Sequence, residues 1–384
     1  MDETEKTTVG VPEGVPGGVP TKYHIPECIA YSNNGLWIAF GDHKGVVRIW
    51  NTKTQKFEYW LMEHTKSMVL CVVFSHDSNL IASCSSDETI KVLTFEAGKW
   101  KLIHTFCLPH KPISSIAFSP DGMNLISGSH QNDLTGDYDN MLSMWSVGGG
   151  EQGKHLGEIK GYTCNVNSVN FSPDGSQIVC GSDDGLNVHS TNTWDLQFTL
   201  NIETIQSVVY SSDGSLIVSL SYDDGAIKIW SATTGKLLHN LDAYKFSEEP
   251  TEFLIYINTV GVSPDGTKLV ITTRNAETII IFCIVTGKLL FLKGHDGGML
   301  SAIFSPDGLT IVSGGYDGTI KIWCAETGEL LRTLVDNTVI DYSKMPRITE
   351  HQQEHQQMEE DKEYCLSKYT EEGASWQTIY VINA

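Results

Sequence analysis

The stretch Phe304–Leu334, FSPDGLTIVSGGYDGTIKIWCAETGELLRTL, decides how this sequence folds. Three turn signals divide it: Ser305-Pro306-Asp307-Gly308, Tyr316-Asp317-Gly318 and Thr327-Gly328. Proline presets φ for a tight turn and glycine accepts a positive φ, so each signal is typical of a reversal of the chain. The apolar runs beside the turns have about the length of short strands. The stretch therefore predicts four antiparallel strands that form one small sheet.

This unit is repeated along the chain. Its anchor is Phe, Tyr or Val, then Ser, any residue, Asp or Asn, and Gly or Ser, and the serine recurs at Ser32, Ser75, Ser119, Ser172, Ser211, Ser263 and Ser305. The successive spacings of 43, 44, 53, 39, 52 and 42 residues bracket the roughly 40–45 residues of a propeller blade, with two insertions. One four-stranded sheet cannot bury both of its faces, so the copies are expected to stack around an axis. The sequence predicts an all-β fold, a seven-bladed β-propeller of four-stranded antiparallel blades with flexible N- and C-terminal tails.

The motifs resemble those of the WD-repeat β-propellers, in which a His, a Ser or Thr, an Asp and a Trp of each repeat are linked by hydrogen bonds. Copy seven matches this pattern fully, with His295, Ser313, Asp317 and Trp323. At the Trp position, copies one to six hold, in chain order, Trp50, Leu93, Trp145, either Ser190 or (after a one-residue shift) His189, Trp230 and Phe282. At the Asp position they hold Lys44, Asp87, Asp139, Asp184, Asp223 and Ala276. The resemblance covers about residues 25–339 and implies a structural role for the tetrad.

The repeat sets the expected domain organisation. Residues 1–24 are a flexible Pro/Gly-rich tail, residues 25–339 are the propeller, and residues 340–384 are an acidic Gln/Glu-rich tail. Within that second tail, Met345–Tyr364 is a candidate helix and Trp376–Ile382 a candidate strand. The copies are expected near residues 28–61, 68–106, 113–159, 166–200, 206–241, 258–292 and 299–335.

The sequence leaves undecided how the first and last blades are joined to close the ring. Propellers of the resembled family often close by borrowing one strand from the opposite terminus. Copy seven already has its own fourth strand, so the last strand is available to cover an edge or the side of the disc. The sequence does not choose between these arrangements.

The charge of the chain indicates which class of molecule it would bind. The net charge of the 384 residues is −21, and the last 35 residues carry only −6 of it, so acidity is spread over the chain. Binding of nucleic acid needs a basic footprint, which the sequence lacks. A basic protein or peptide is the better electrostatic match.

The same composition predicts where the protein works. No apolar run reaches the roughly 18 residues of a membrane span. The N-terminus lacks the basic and then apolar pattern of a signal peptide. The nine cysteines show no framework spacing, as is typical of reduced thiols. We expect an intracellular protein, cytoplasmic or nuclear, that is neither secreted nor inserted in a membrane.

Two insertions are expected on one face of the disc. One lies within copy three at residues 130–139, and the other joins copies five and six at residues 242–256. In a four-stranded meander, the loop between the second and third strands and the connection to the next blade leave the sheet at the same end. The residue before the motif aspartate lies there too, at His43, Ser86, Tyr138, Asp183, Tyr222, Asn275 and Tyr316.

The tyrosines among these residues suggest a binding surface, because tyrosine gives a large contact area at low entropic cost. The alternative is that each tyrosine only shields its neighbouring turn. Loops usually carry function, and the resemblance implies peptide binding on this face. The predicted partner contacts are His43, Tyr138, Tyr222, Asn275 and Tyr316, and the acidic loop residues that would select a basic segment are Asp133, Asp137, Glu248, Glu249 and Glu252.

The sequence contains two motifs that resemble metal sites, and neither supports catalysis or metal binding. His351–His355 spells H-x-x-E-H, a metallopeptidase pattern, but it lies in a repetitive tail with too little chain to build a metal cavity. The loop carboxylates Asp133, Asp137 and Asp139 lack the ligand spacing, glycine and terminal Glu of a calcium-binding EF-hand. We predict no catalytic site, no cofactor and no metal.

The sequence therefore predicts a non-enzymatic scaffold or adaptor that belongs to a multiprotein complex. It would bind a protein or peptide with a basic segment, and no nucleic acid, on the face that carries the two kinds of loop. A constitutive structural subunit that contacts partners through its rim and tails is the alternative. A hydrolase or tail-borne metallopeptidase is the alternative of another class, since the fold alone does not fix the function.

Overall fold

The structure, a computed structural model, describes residues 25–61, 64, 67–108, 111–130, 140–148, 153–162, 164–200, 204–242, 257–274, 277–334 and 382–383. All 29 regular elements in these ranges are β-strands. Consecutive strands pair antiparallel in seven sheets of four, and one further strand joins the second sheet. The seven-bladed, four-stranded prediction is confirmed. The predictions for residues 1–24 and for a helix at Met345–Tyr364 lie outside the described residues.

The strands are numbered in chain order, and each blade contributes a first, second, third and fourth strand. The first strands are β1 (Pro26–Tyr31), β5 (Val69–Phe74), β9 (Ile113–Phe118), β13 (Val166–Phe171), β17 (Ile205–Tyr210), β21 (Ile257–Val262) and β25 (Met299–Phe304). The second strands are β2 (Trp37–Asp42), β6 (Leu80–Ser85), β10 (Asn124–Ser129), β14 (Gln177–Ser182), β18 (Leu216–Ser221), β22 (Lys268–Thr273) and β26 (Thr310–Gly315).

The third and fourth strands form the outer half of each blade. The third strands are β3 (Val47–Asn51), β7 (Thr89–Glu96), β11 (Asn140–Ser146), β15 (Gly185–Ser190), β19 (Ile227–Ser231), β23 (Thr278–Cys283) and β27 (Ile320–Cys324). The fourth strands are β4 (Lys56–Leu61), β8 (Lys99–Cys107), β12 (His155–Tyr162), β16 (Leu196–Leu200), β20 (Leu237–Leu241), β24 (Leu289–Lys293) and β28 (Leu330–Leu334). The added strand is β29 (Ile382–Asn383).

The hydrophobic core is divided among the seven gaps between neighbouring blades. Each cluster of buried apolar residues combines side chains of two consecutive blades. In one of them, Ala82 and Cys84 of blade two pack with Ile113 and Trp145 of blade three. Each blade therefore buries its faces on its neighbours, as the repeat pattern predicts.

The ring closes without an exchanged strand in the described part of the chain. Blades one and seven are each built from four consecutive strands, and β1 contacts β25 and β26 across the seam. The cluster that fills this seam contains Ile29, Ile38, Phe40, Trp50, Val312, Ile320 and Leu334. Among the described residues, the first and last blades therefore meet through this packed cluster and share no strand.

Burial follows the radial position of the strand. Every residue of Trp37–Asp42 in β2 is buried, because a second strand has a blade on either side. In the first strand β5, Val69–Phe74, only Val69 and Val72 are buried, and the other four residues are half-buried. First strands border the axis of the ring and contact one another there.

The Ser-x-Asp-Gly anchor closes the turn between the first two strands. In blade seven the Ser305 hydroxyl donates to Asp307 Oδ1 at 2.6 Å, and the same carboxylate accepts the Leu309 N–H at 3.0 Å. Gly308 has a φ of 70°, which only glycine adopts without strain. The bond from Ser305, followed by that from Leu309, lowers the pKa of Asp307. The serine-to-carboxyl or serine-to-amide bond recurs in the other six blades.

A glycine near the end of a second strand sets how closely two blades approach. A Cβ added at Gly128 in blade three would lie 2.6 Å from Val166 Cγ1 of blade four. At the closing seam, a Cβ at Gly314 would lie 2.6 Å from Pro26 Cγ. The glycine therefore makes room for the first residue of the next blade.

We expect Gly128→Val to destabilise the protein by about 1–3 kcal/mol through overpacking of this gap. Chemical denaturation of Gly128→Val, Val166→Ala and the double variant would measure it. The double variant should cost clearly less than the sum of the single costs, because shortening Val166 restores the space. Strictly additive costs would show that the two residues do not compete for one gap.

Candidate protein-interaction face

The second strands of all seven blades end at one face of the ring. The first residues after them are His43, Ser86, His130, Asp183, Tyr222, Arg274 and Tyr316. In five blades the backbone N–H of this residue donates to a carbonyl of the connection that enters the blade, as from Tyr316 to Gly298 at 3.0 Å and from Tyr222 to Thr204 at 2.9 Å. These bonds place both kinds of loop on the same face. We call it the loop face, defined by these seven residues.

Three residues of the predicted contact set lie on the loop face. Tyr222 is 60% exposed and Tyr316 is 41% exposed, whereas His43 is half-buried. The two tyrosines belong to blades five and seven and are separated by Arg274 of blade six. The remaining predicted contacts lie outside the described residues, and these are Tyr138, Asn275, Asp133, Asp137, Glu248, Glu249 and Glu252. The same holds for Asp139 and for the His351–His355 motif.

Sequence alignment missed two residues of the loop face. His130 and Arg274 directly follow β10 and β22, at the positions that Tyr222 and Tyr316 occupy in their blades. The alignment counted back from the motif position of the aspartate and so selected Tyr138, which lies beyond the insertion in blade three, and Asn275, which is one residue past Arg274. Counting forward from the end of the second strand would have found both.

The structure also corrects the alignment of blade five. The Asp position was assigned to Asp223, but Asp224 Oδ1 accepts the Ala226 N–H at 2.9 Å, as Asp317 Oδ1 accepts the Thr319 N–H at 2.9 Å. The loop of blade five is one residue longer than that of blade seven, which leaves Asp223 as the extra, exposed residue.

In blade four the loop is one residue shorter, and this settles the alternative left open by the sequence. His189 pairs with Ile178 across the sheet, as Trp323 pairs with Ile311. His189, and not Ser190, therefore occupies the Trp position.

Acidic side chains dominate the described loops of this face. The acidic residues are Asp87, Glu88, Asp183, Asp184, Asp223, Asp224, Asp242, Glu277, Asp296 and Asp317, and the basic residues are Lys44, Lys111 and Arg274. Towards the axis, Glu27 lies near Asp42 and Arg274. Burial, then the Asp42 charge, raises the pKa of Glu27 despite the opposing effect of Arg274. The loop face therefore favours a ligand of positive charge.

The tetrad of blade seven fixes the turn that carries Tyr316. His295 Nε2 lies 2.7 Å from Ser313 Oγ, and Trp323 Nε1 donates to the same oxygen at 2.8 Å. His295 Nδ1 lies 2.9 Å from Asp317 Oδ2, and that oxygen also accepts the Asp296 N–H at 3.0 Å. The turn and the incoming connection are thus held together through one carboxylate.

The ionised form of Asp317 is strongly favoured. Burial alone would raise its pKa, but the hydrogen bond with His295 and those from the Thr319 and Asp296 N–H groups outweigh burial. The pKa of Asp317 therefore falls well below its usual range.

The other blades keep only parts of this network. In blade two, His64 contacts Asp87 at 3.0 Å and Ser83 at 2.8 Å, with Leu93 in the Trp position. Blades three and five keep the Trp-to-Ser hydrogen bond, from Trp145 to Ser127 at 2.9 Å and from Trp230 to Ser219 at 3.0 Å.

Blade four contains a substituted network. Tyr162 takes the His position, Cys180 the Ser position and His189 the Trp position. The Tyr162 hydroxyl lies 2.6 Å from His189 Nε2 and 3.0 Å from Cys180 Sγ. Burial raises the pKa of Cys180 to about 12, which favours the protonated thiol.

We expect Trp323→Ala to destabilise the protein by about 3–5 kcal/mol, because this ring is almost fully buried. Trp323→Phe keeps an aromatic ring but loses the donor to Ser313, and should cost clearly less, about 1 kcal/mol from the hydrogen bond. Thermal and chemical unfolding of both variants would measure this. A cost below about 1 kcal/mol for the alanine variant would contradict the role of the tetrad.

The lowered pKa of Asp317 predicts a pH dependence. Its stabilising contribution should be fully present above about pH 4, the usual Asp pKa, and should disappear as pH falls through the lower folded-state pKa. The stability difference between wild type and Asp317→Asn should therefore shrink below about pH 4. In a His295→Ala background the pH-dependent part should be much smaller. A difference that stays constant with pH would contradict the inferred ionisation.

Within the described ranges, no helix is long and apolar enough to cross a membrane. The described side chains also form no group of three His, Cys, Asp or Glu residues suited to a metal ion.

The chain is similar to several curated proteins. It is 24% identical to the transcriptional corepressor LEUNIG_HOMOLOG of Arabidopsis thaliana over 77% of this chain and 35% of that protein. It is 26% identical to the periodic tryptophan protein 2 homolog of Caenorhabditis elegans over 77% and 31%, and 24% identical to the angio-associated migratory cell protein of Homo sapiens over 72% and 63%. The alignments thus span from about a third to under two thirds of these relatives.

A family model identifies the repeat itself. The model described as WD domain, G-beta repeat, matches residues 22–51, 55–93, 100–146, 153–187, 194–231 and 286–324. The matches leave out most of blade six, where Ile271 and Phe282 stand at the Ser and Trp positions. Since the matched segments cover more than half of the sequence, this chain belongs to the WD-repeat family.

Proposed function

We propose that this protein is a non-enzymatic scaffold or adaptor that binds a partner protein on the loop face through a basic segment of that partner. One observation carries the proposal: two exposed tyrosines and a set of exposed carboxylates converge on the same face. The partner segment would lie across blades five to seven, where Tyr222 and Tyr316 flank Arg274.

The tyrosines are suited to act as anchors. The backbone at each is held by a hydrogen bond to the neighbouring connection, and the turn after Tyr316 is fixed by the tetrad. Their side chains remain exposed. A large side chain on a rigid support loses little entropy when it binds a partner.

The carboxylates supply the charge preference. Asp223 and Asp224 follow Tyr222 in the chain and are exposed. The exposed Asp296 donates its N–H to Asp317, the residue after Tyr316, and Asp184 is exposed in blade four. Complementary charge speeds association and rejects partners of the wrong sign more than it adds to affinity. A basic segment is therefore the expected ligand, and a nucleic acid backbone would be repelled.

The relatives support the general class of function. A protein named as a transcriptional corepressor is among them, and the names of the relatives described above do not denote enzymes. Six cysteines of the described ranges are free thiols, namely Cys28, Cys71, Cys84, Cys180, Cys283 and Cys324. Free thiols support our proposal of an intracellular, cytoplasmic or nuclear location.

Replacement of both tyrosines tests the site. The Tyr222→Ala/Tyr316→Ala variant should lose a defined set of partners in affinity purification with mass spectrometry, because it removes the anchors and leaves the strands intact. A matched control, Leu309→Ala/Val285→Ala, removes exposed apolar side chains from turns at the opposite ends of the strands. Binding of the partner so found should weaken at least tenfold, a loss of about 1.4 kcal/mol, in the tyrosine variant only. Equal retention by both variants would reject the loop face as the site.

Charge reversal tests the selection of a basic segment. Asp223→Lys/Asp296→Lys should slow association with the same partner and reduce the dependence of the rate on salt, because it weakens electrostatic steering. Glu326→Lys changes an exposed carboxylate of the turn between β27 and β28, at the other end of blade seven, and serves as the control. Stopped-flow or surface plasmon resonance at several salt concentrations gives both rates. Unchanged association in the double variant would exclude a basic ligand at these residues.

A second candidate function is a constitutive subunit that contacts partners through its rim. Leu196, Leu237, Leu238, Leu330 and Leu331 are exposed on the fourth strands of blades four, five and seven. Partners that survive the tyrosine substitution but are lost from a Leu237→Ser/Leu330→Ser variant would favour this function.

A further inference from the structure

Blade two carries two cysteines that lie directly opposite each other on neighbouring strands. Cys71 of β5 pairs with Cys84 of β6 in the antiparallel register. Directly opposed residues of antiparallel strands have Cα atoms about 4.5–5.5 Å apart, which is within the range of about 4.4–6.8 Å that a disulfide spans. The backbone of blade two therefore meets the distance requirement of a disulfide between these cysteines.

The other blades show where side chains at these two positions point. In blade six the equivalent pair is Thr259 and Thr272, whose Oγ1 atoms lie 2.8 Å apart. In blade one the pair is Cys28 and Gly41, and a Cβ added at Gly41 would lie 2.6 Å from Cys28 Sγ. Side chains at the two positions therefore enter the same space, and in blade two both of them end in sulfur.

The two thiols of blade two face blade three. Both cysteines belong to the apolar cluster between these blades, and the Cys71 thiol donates to the Ile116 carbonyl oxygen at 3.9 Å. Cys84 is fully buried, whereas Cys71 is half-buried on a first strand, which borders the axis of the ring. Cys71 is therefore the sulfur that a small molecule reaches first.

The two thiols also differ in acidity. A hydrogen bond with Cys84 lowers the pKa of Cys71 and outweighs the opposing effect of burial. Burial, followed by the hydrogen bond with Cys71, raises the pKa of Cys84 well above its usual range. Exposure and thiolate character both favour oxidation of a cysteine. Cys71 is therefore suited to react first, and Cys84 to react with the oxidised Cys71.

We propose that Cys71 and Cys84 form a redox site, at which hydrogen peroxide converts the two thiols to a reversible disulfide. The Cys71 thiolate attacks one peroxide oxygen and the O–O bond breaks. The departing hydroxide takes up the proton that Cys71 released and leaves as water, so Cys71 becomes a sulfenic acid. The Cys84 sulfur then attacks the Cys71 sulfur and the S–OH bond breaks. The second hydroxide takes the Cys84 proton and leaves as water.

The reaction balances and keeps the blade intact. The two thiols together lose two electrons, and one peroxide is reduced to two water molecules. Because β5 and β6 are already paired at these residues, the disulfide forms without a change of strand register. A dithiol reductant reverses it by thiol–disulfide exchange.

Cys283 of blade six provides an internal comparison. It is half-buried, and hydrogen bonds with Thr286 lower its pKa. The residue opposite Cys283 on β22 is Lys268. Cys283 can therefore be oxidised to a sulfenic acid, but the residue opposite it cannot complete a disulfide.

Peptide mapping of the full-length wild-type protein tests the site without any substitution. The reduced protein is treated with hydrogen peroxide, its free thiols are blocked, and it is digested with trypsin. Cys71 and Cys84 fall in one tryptic peptide, residues 67–91, because no Lys or Arg lies between its ends. We expect this peptide to lose the mass of two hydrogen atoms. Further cleavage after Phe74 by chymotrypsin should leave two chains that separate only when dithiothreitol is added.

Three single variants separate the roles of the two thiols. Cys84→Ser should stop at a sulfenic acid on Cys71, which dimedone traps as an adduct. Cys71→Ser should leave Cys84 reduced, with oxidation at least about tenfold slower than in the wild type. Cys283→Ser is the matched control and should form the same disulfide as the wild type.

Two results would overturn the proposal. The peroxide concentration is raised until Cys283 is oxidised, and a peptide 67–91 that still keeps both thiols would show that the pair is not a redox site. A disulfide from Cys71 to Cys28 would show that blade one, and not Cys84, supplies the second thiol. Because Cys71 and Cys84 lie between blades two and three, both results are independent of partner binding on the loop face.

Discussion

The fold depends on the burial of each blade against the next. A sheet of four short strands has two apolar faces, and neither is covered within the blade. The seven buried clusters each draw on two consecutive blades, so no blade possesses a core of its own. A closed ring is the arrangement in which every gap is filled, and the cluster around Phe40 and Val312 makes the last gap like the others.

This shared burial explains why the tetrad can be lost from most blades. Removal of one partner from a buried hydrogen bond is costly, whereas replacement of both partners by apolar groups is nearly neutral. Blade six follows the second route with Ile271 and Phe282, which pack in the cluster between blades five and six. Blade four keeps a polar network but exchanges its members, so that Tyr162, Cys180 and His189 satisfy one another. The networks orient turns, while the apolar gaps hold the ring together.

The parts that sequence predicted are those with a repeated physical cause. Seven Ser-x-Asp/Asn anchors, each with the same turn geometry, fixed the number of blades and the positions of the first two strands. One error, at Asp223, and one open alternative, between Ser190 and His189, arose where one residue is inserted or deleted in a loop, because an ungapped alignment carries no information on where the strand ends. Arg274 was missed for the same reason, and His130 was missed because of the longer insertion at residues 130–139 of blade three. The pairing of Ile382 with Thr105 depends on a contact between distant segments, for which the repeat pattern contains no signal.

The loop face shows how one backbone position can serve recognition without disturbing the fold. The residue after the second strand is held through its backbone N–H in five blades, by a bond that any residue except proline can make. Its side chain carries no structural duty common to the blades, and the seven positions accordingly hold two tyrosines, two histidines, a serine, an aspartate and an arginine. Strand interiors have no such freedom, since a Cβ at Gly128 or Gly314 would already collide with the next blade. Chemical variety therefore accumulates at the strand ends, and in this chain it includes two exposed tyrosines beside exposed carboxylates.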